Sequence, residues 1–288
     1  MIKNYITKSI NRPKLFYILI IILAFTFLQS NMCFAKDPIT VGKGIWINIW
    51  NYPANPEIYC TYLKSKGIDT IYLQVSRSNT PAIKDPIKLN KVIAAAHNND
   101  IKVIGWSYVF LKNPLQDAQK FIQTISYKTP SGDSLDGTAA DIEEVTNSQA
   151  IETFAKAVRK HVGNSYPLIA ITFSPVLKRA DPRHYAWKTI ANNFDIIAPM
   201  TYWHGFVKLR SEKGAYDYTT ETIAKIKEFT QKDNIKIHLI GDGQKTSKQE
   251  ITGFLKAASE HGINAGVSLY PWYVPKEHQV ETLGKFEL

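Results

Sequence analysis

Apolar, β-branched segments alternate with amphipathic segments of helical period from about residue 44 to the end of the chain. This alternation is typical of βα units, in which a helix follows and covers each strand. The predicted strands are Gly44–Trp50, Thr70–Ser76, Lys102–Val109, Ser134–Ile142, Pro167–Phe173, Ile196–Tyr202, Lys236–Asp242 and Ala265–Trp272. The predicted helices are Pro56–Ser65, Leu89–Asn98, Pro114–Ser126, Ser148–His161, Pro182–Asn192, Thr219–Gln231, Lys248–His261 and Lys276–Lys285. The pattern therefore predicts eight βα units.

Several predicted helix boundaries carry the residue types that start or end helices. Gly67 and Gly262 follow predicted helices, where a left-handed residue commonly ends the helix. Three predicted helix starts carry capping residues, at Asn113-Pro114, at Asp181-Pro182, and at Thr246 or Ser247 with Glu250 as a capping box. These local signals support the division into units independently of the hydrophobic pattern.

The number of units favours a closed (β/α)8 barrel, the TIM barrel, as the α/β architecture of this chain. Such barrels commonly reach about 250 residues as a single domain. An open doubly wound sheet is the alternative, but it would want a glycine-rich phosphate loop after the first strand, and the sequence has none there. No linker rich in Ser, Gly or Pro divides the chain, so residues 36–288 are expected to form one barrel domain.

The first 35 residues have the composition of a signal peptide. Four Lys or Arg residues precede the 14-residue apolar run Leu15–Leu28, and Cys33-Phe34-Ala35 offers a cleavage site. The run is shorter than the roughly 20 residues that span a bilayer as a helix. We therefore expect a cleaved signal and a secreted or cell-surface protein. An uncleaved N-terminal anchor is the alternative, and it would be the membrane attachment of this chain.

Charge and cysteine content limit the partners and cofactors. Residues 1–35 hold four Lys/Arg and no Asp/Glu, so their removal lowers the formal charge from +10 to +6. The basic residues are scattered, which makes nucleic acid a poor candidate partner. Only Cys60 remains after cleavage, which excludes an intramolecular disulfide and a cysteine zinc site. No histidine motif for a metal appears, and we expect a monomer with no cofactor and no metal.

The candidate chemistry lies at the end of the fourth predicted strand. In the segment from Asp136 to Glu144, strand alternation places Ala139, Asp141 and Glu143 on one face. Two acids in an apolar barrel interior are costly unless they are used. Burial and mutual repulsion raise their proton affinity, so Glu143 is a candidate general acid with Asp141 as its support.

Two further acids have a structural as well as a functional interpretation. Glu144 can cap the helix that follows, which is the interpretation we favour for it. Asp242 ends the seventh predicted strand and could act as a second carboxylate opposite Glu143. Because Asp242 precedes Gly243, it can also be part of a simple turn.

The segment Asp136-Gly137-x-Ala139-x-Asp141-x-Glu143 resembles the Asp-x-x-Asp-x-Asp-x-Glu signature of family 18 glycoside hydrolases, the chitinase-like barrels. Met200-Thr201-Tyr202 is similar to the Met-x-Tyr-Asp segment of that family, and Trp272 to the aromatic residue below its sugar subsite. Family 25 lysozyme-like barrels also carry an Asp-x-Glu on a comparable strand. As a whole, the chain resembles the poorly characterised bacterial glycoside-hydrolase-like barrels.

The resemblance implies that Glu143 is the proton donor, Asp141 its helper and Tyr202 a hydrogen-bonding partner of the reacting sugar. The sequence departs from the family 18 pattern at Ala139 and Trp203, where the family has acids. These departures put substrate-assisted cleavage of an N-acetylated sugar in doubt, because the missing acids support that step and contact the acetamido group.

Aromatic residues at the predicted strand ends suit the stacking of sugar rings. We expect Trp272 and Trp106 to bind substrate together with Tyr202. Trp203 and His204 follow Tyr202 directly and are further candidates for substrate contact.

The sequence thus predicts an exported hydrolase of a cell-envelope or environmental polysaccharide, expected to contain N-acetylated amino sugars. The alternative is a barrel that binds glycan without cleaving it, which the departures at Ala139 and Trp203 would permit. A sugar deacetylase is a weaker alternative because the sequence has no metal triad.

Overall fold

The computed structural model describes residues 42–263 and 265–287, and the predicted signal segment lies outside the described residues. The strand segments are β1 (Lys43–Ile47), β2 (Thr70–Arg77), β3 (Lys102–Tyr108), β4 (Gly137–Asp141), β5 (Leu168–Phe173), β6 (Ile196–Thr201), β7 (Lys236–Ile237), β8 (Leu239–Asp242) and β9 (Val267–Tyr270). The α-helices are α1 (Pro56–Ser65), α2 (Pro86–Asn98), α3 (Pro114–Ile125), α4 (Ser148–Val162), α5 (Trp187–Asn193), α6 (Glu212–Thr230), α7 (Lys248–Glu260) and α8 (Glu277–Gly284).

The strands form a closed parallel ring. Their order is β5-β4-β3-β2-β1-β9-β8-β6, and the ring closes because β5 also pairs with β6. The short segment β7 pairs with β6 just before β8 does, so β7 and β8 are two parts of one barrel strand. The predicted (β/α)8 barrel is therefore confirmed, and the open doubly wound sheet is excluded.

Large side chains fill the barrel interior at the level of β1 and β2. Trp46 stacks on Tyr72 with ring centroids 4.2 Å apart, and the Tyr72 ring lies 5.1 Å from that of His238. The Ser268 hydroxyl oxygen lies 2.6 Å from Trp46 Nε1 and 2.7 Å from His238 Nε2. The interior is thus a packed core, as in other barrels of this size, and a ligand site is expected at the C-terminal ends of the strands.

Most of the predicted helix boundaries are confirmed. The Asn113 side chain caps α3, and Ser247 forms the predicted capping box at the start of α7. Gly67 and Gly262 have φ angles of +80° and +62°, in the left-handed region that glycine adopts without steric cost.

The prediction of a helix starting at Asp181-Pro182 is wrong, and α5 begins at Trp187 instead. The Asp181 carboxylate accepts hydrogen bonds from the backbone N–H and the guanidinium of Arg183, only two residues ahead. Together with the bonds from the backbone N–H groups of His184 and Tyr185 to the Asp181 carbonyl oxygen, these bonds close a single turn that does not continue as a helix. The helix α6 also begins earlier than predicted, at Glu212, where Ser211 supplies its cap.

Candidate active site

A cavity of about 390 Å³ opens at the C-terminal ends of the barrel strands. Residues at alternate positions of the strands share one face, so successive strands each contribute side chains to its wall. The strand residues in this wall include Trp46, Gln74, Trp106, Asp141, Ile171 and Asp242. The cavity therefore lies where the active sites of such barrels are found.

The two acids singled out from the sequence both line this cavity. Asp141 is the last residue of β4, and Glu143 lies in the turn that follows. Asp141 is only 6% exposed, and its Oδ1 atom is buried without a hydrogen-bond partner among the described residues. A buried carboxyl oxygen without a partner is costly, which is typical of a group kept for a ligand or for chemistry.

The surroundings of the two acids favour their protonated forms. Burial raises the pKa of Asp141 well above its usual range, and the nearby charge of Glu143 raises it further. Burial and the charge of Glu144 raise the pKa of Glu143 to about 7, although Arg179 and Arg77 act in the opposite direction. A carboxyl group with a pKa near 7 is partly protonated at neutral pH and can donate its proton to a leaving group.

The turn that carries Glu143 is held in place by residues of the next unit. The Ile142 backbone N–H donates to the carbonyl oxygen of Ile171 on β5, at 3.1 Å. The hydroxyl of buried Tyr185 donates to the carbonyl oxygen of Ile142, at 3.2 Å. Tyr185 therefore helps to position Glu143, and nothing in the sequence pattern indicated this role.

The expectation that Glu144 caps the following helix is wrong. The cap of α4 is Asn147, whose side chain accepts from the backbone N–H of Ala150 at 3.1 Å. Glu144 is exposed at the edge of the cavity. Its charge acts together with burial to raise the pKa of Tyr108.

Two arginines that the sequence pattern did not indicate also line the cavity. The Arg77 guanidinium lies 4.7 Å from the ring centroid of Tyr108, and the Arg179 guanidinium lies 4.7 Å from that of Phe173. Arg77 ends β2, a position that strand-end reasoning could have singled out. Arg179 lies in a short 3₁₀ turn, Lys178–Ala180, which the sequence pattern did not predict.

Asp242 contributes another buried carboxyl group to the cavity wall. Its Oδ2 accepts from the Gly205 backbone N–H at 2.6 Å, and its Oδ1 accepts from the Gln244 backbone N–H at 2.8 Å. Burial raises the pKa of Asp242, and the two hydrogen bonds partly offset that effect. Both interpretations of the sequence fit this geometry, because Asp242 closes a turn and also faces the cavity.

Two of the predicted substrate-binding aromatics lie inside the cavity. Tyr202 stacks on Tyr270 with centroids 6.0 Å apart and ring planes 13° apart. Trp106 is 7% exposed, and its Nε1 atom has no hydrogen-bond partner among the described residues. Burial raises the pKa of Tyr202 well above its usual range, so its hydroxyl stays protonated and can donate a hydrogen bond.

Trp272 lies at the rim of the cavity and is 45% exposed. Its φ angle is +64°, a left-handed conformation that costs a bulky residue free energy. Its carbonyl oxygen accepts hydrogen bonds from the side chains of Asn48 at 2.9 Å and Asn51 at 2.6 Å. These bonds hold the Trp272 backbone in its unfavourable conformation and so keep its large apolar ring at the cavity mouth. Backbone strain of this kind is common at binding sites.

Trp203 and His204, the other two candidates for substrate contact, are not among the cavity-lining residues. Trp203 is fully buried, stacks on Phe254 of α7 and donates from Nε1 to Glu250 Oε1 at 3.3 Å. His204 Nδ1 lies 2.7 Å from the same oxygen. The strand β6 ends at Thr201, so strand alternation no longer determines where these two side chains point.

The residues of the family 18-like segment have different environments in this fold. Ala139, which stands where the family pattern has an acid, is completely buried in β4. Asp136 lies before the start of β4, where its Oδ2 accepts from the Val103 backbone N–H at 2.8 Å and contacts His97 Nε2 at 3.0 Å. Asp136 therefore joins two strands at their N-terminal ends, away from the cavity.

The described part of the chain shows neither a metal-binding cluster nor a membrane-spanning helix. Residues 42–263 and 265–287 contain no group of three or more His, Cys, Asp or Glu side chains arranged to hold a metal ion. None of the helices in these ranges is both long and apolar enough to cross a bilayer.

Neither protein-family models nor curated protein sequences give a match to this chain. Solved structures, by contrast, do match this chain. The Bacillus cereus spore cortex-lytic enzyme SleL matches with a TM-score of 0.64 and 13% identity, over 86% of this chain and 74% of SleL. A GH18 chitinase from Pseudoalteromonas aurantia matches with a TM-score of 0.60 and 12% identity, over 85% of this chain and 98% of the chitinase.

A chitinase from Chromobacterium violaceum is similar to the same extent, with a TM-score of 0.60 and 10% identity, over 86% of this chain and all of that enzyme. Identities this low establish a common fold and leave the activity to be argued from the site. The chain therefore shares the (β/α)8 barrel fold of these solved structures.

Proposed function

We propose that this protein is a glycoside hydrolase in which Glu143 is the general acid. The observation that carries the proposal is the pairing of the buried carboxyl group of Asp141 with the partly buried one of Glu143 in the cavity wall, with the pKa of Glu143 raised to about 7. The solved structures that share the fold include chitinases and a cortex-lytic enzyme, which supports the same reaction class.

In the proposed reaction, Glu143 donates its proton to the glycosidic oxygen as the bond from that oxygen to the anomeric carbon breaks. Asp141, with one carboxyl oxygen unpaired, stabilises the charge that develops and orients the acid. The Tyr202 hydroxyl is free to donate a hydrogen bond to the reacting sugar. Asp242 is the candidate for the second carboxylate. It would either attack the anomeric carbon and form a glycosyl intermediate that water then hydrolyses, or take a proton from the water that attacks this carbon.

The proposed substrate is a polysaccharide of the cell envelope or the environment that contains N-acetylated amino sugars. Trp106, Tyr202 and Trp272 give the cavity and its rim flat apolar faces for sugar rings. Export through the N-terminal segment would bring the enzyme to such polymers and make it secreted or held at the cell surface.

The test is the Glu143→Gln variant, assayed for reducing ends released from peptidoglycan, chitin oligomers and galactosaminoglycans. We expect a loss of about 10²- to 10⁴-fold in kcat on the substrate that the wild-type protein cleaves, because the amide cannot donate the proton. The matched control is Glu152→Gln on the outer face of α4, which should keep wild-type activity. Full activity of a folded Glu143→Gln protein would contradict the assignment.

The second candidate function is a barrel that binds glycan without cleaving it. It is favoured by Ala139, which occupies a position where the family 18 pattern has an acid, and by Trp203, which turns away from the cavity. If folded wild-type protein binds one of these glycans and releases no reducing ends from it, this alternative is supported.

A further inference from the structure

Two arginine side chains, those of Arg77 and Arg179, line the cavity near the candidate general acid. Among the described residues, the guanidinium groups of Arg77 and Arg179 form no ion pair and no hydrogen bond. Arg77 is partly buried and Arg179 is exposed in a wall rich in aromatic rings. A ligand that enters the cavity would displace water from both charges, which is costly unless the ligand pairs with them.

Each guanidinium lies over aromatic rings of the cavity wall. Arg77 lies over Tyr108 at 4.7 Å and Trp50 at 5.5 Å, and Arg179 lies over Phe173 at 4.7 Å and Phe206 at 5.9 Å. A guanidinium that stacks through its face keeps its N–H donors at the edge, where they match the two oxygens of a carboxylate.

The two arginines lie on either side of the candidate general acid. In the ring, Arg77 ends β2 and Arg179 follows β5, while Glu143 follows β4 between them. Both charges act on Glu143, so both lie within electrostatic range of the bond that would be cleaved. Lys84 extends the positive charge outward along the rim, with its Nζ 5.5 Å from the Trp50 ring.

We propose that the substrate is an acidic glycan, and that a carboxylate on the sugar at or next to the cleaved bond is bound by Arg77 and Arg179. This inference rests on the proposed function and adds the chemical class of its substrate. A neutral sugar would offer the two guanidinium groups only uncharged acceptors, whereas a carboxylate would pair with both their charge and their N–H donors.

The probe is a matched pair of glycans. Peptide-free peptidoglycan strands carry an ether-linked carboxylate on alternate sugars, and chemical reduction converts these groups to alcohols in the same strands. We expect the wild-type kcat/KM to be about 100-fold higher on the carboxylate strands, about tenfold for each of the two charge-assisted contacts. A uronic acid polymer carries its carboxylate directly on a ring carbon. Comparing kcat/KM on this polymer with kcat/KM on peptidoglycan strands shows which position of the carboxylate the enzyme recognises.

The ratio of kcat/KM on carboxylate strands to that on reduced strands should fall about tenfold in Arg77→Met and in Arg179→Met. The control Lys160→Met removes a positive charge from the C-terminal turn of α4, at the opposite end of the barrel, and should leave the ratio unchanged. Each variant is first shown to be folded by its melting temperature.

Equal cleavage of native and reduced strands by the wild-type protein would overturn the inference. So would arginine variants that shift the pH profile on both strands equally without changing the ratio, because the arginines would then only tune Glu143. For binding, the affinity of the Glu143→Gln variant for carboxylate strands is compared with its affinity for reduced strands. Preferential binding of carboxylate strands without cleavage by the wild-type protein would overturn the proposed hydrolysis alone, and cleavage without preference would overturn only the acidic substrate.

Discussion

The pKa of Glu143 rises from 4.5 to about 7 because the fold removes this carboxyl group from water and places it near another acid. Burial has the largest effect, the charge of Glu144 adds to it, and Arg179 and Arg77 oppose it. Burial and three neighbouring charges thus set one protonation equilibrium.

The pH dependence of activity should report this equilibrium. A general acid works in its protonated form, so kcat/KM should fall as the pH rises through about 7. Glu144→Gln removes a charge that raises this pKa, and the alkaline limb should move to lower pH. Arg179→Met removes a charge that lowers it, and the limb should move to higher pH.

The measurement is the pH–rate profile of the wild-type protein and both variants on one glycan. Lys160→Met, which lies far from the cavity, serves as the control and should leave the limb where it is. An alkaline limb that both variants leave unmoved would show that Glu143 does not control the rate.

At the scale of elements, the start of α7 holds the loop that follows β6. Ser247 caps the helix, and Glu250 Oε2 accepts from the Ser247 backbone N–H at 2.8 Å. The other oxygen of Glu250 contacts Trp203 Nε1 and His204 Nδ1. Gly205, the next residue, donates to Asp242, so this helix start positions one wall of the cavity.

Glu250→Ala should destabilise the protein by about 3 kcal/mol, since it removes charge-assisted hydrogen bonds and leaves the buried Trp203 N–H unpaired. Ser247→Ala should cost about 1 kcal/mol as a lost helix cap. Thr252→Ala, on the exposed face of α7, is the control and should change stability little. The measurement is guanidinium unfolding at neutral pH.

The effect of Glu250 should also depend on pH. Burial alone would raise the pKa of Glu250, but hydrogen bonds from Ser247 and His204 outweigh burial and lower it. Its stabilising effect is therefore complete above the usual glutamate pKa of about 4.3 and is lost as the pH falls through the lower folded value. A difference between wild type and Glu250→Ala that persists unchanged in strong acid would contradict this account.

At the scale of the whole molecule, the barrel depends on joining its first and last units. The strand β1 pairs with β9, and Lys43 Nζ donates to the carbonyl oxygen of Gly284 at 2.7 Å. A Cβ atom at Gly284 would overlap with the carbonyl oxygen of Lys66. Glycine at this position allows α8 to approach the end of α1 closely enough to complete the outer layer of helices.

Gly284→Ala should destabilise the barrel by about 2 kcal/mol, because the added methyl group forces α8 away from α1. The exposed neighbouring variant Lys285→Ala is the control and should change stability by less than about 0.5 kcal/mol. Chemical unfolding measures both. Equal stability of Gly284→Ala and wild type would mean that this contact is not close in solution.

The sequence by itself determined the order of strands and helices and the side of β4 that Asp141 faces, because these depend on local periods. Glu143 lies in the turn after β4, so its place in the cavity wall depends also on the contacts of that turn with Ile171 and Tyr185. The capping residues Asn113 and Ser247 were equally predictable, since each bonds to its own helix.

Only the tertiary structure decided which distant residues meet these acids. Arg77, Arg179 and Tyr185 come from separate units, and closure of the ring brings them to Glu143 across many intervening residues. Trp203 and His204 turn to Glu250 because β6 ends before them and α7 offers a carboxylate. Local period fixes the side of a strand that a residue faces, whereas contacts between units depend on how the whole chain packs.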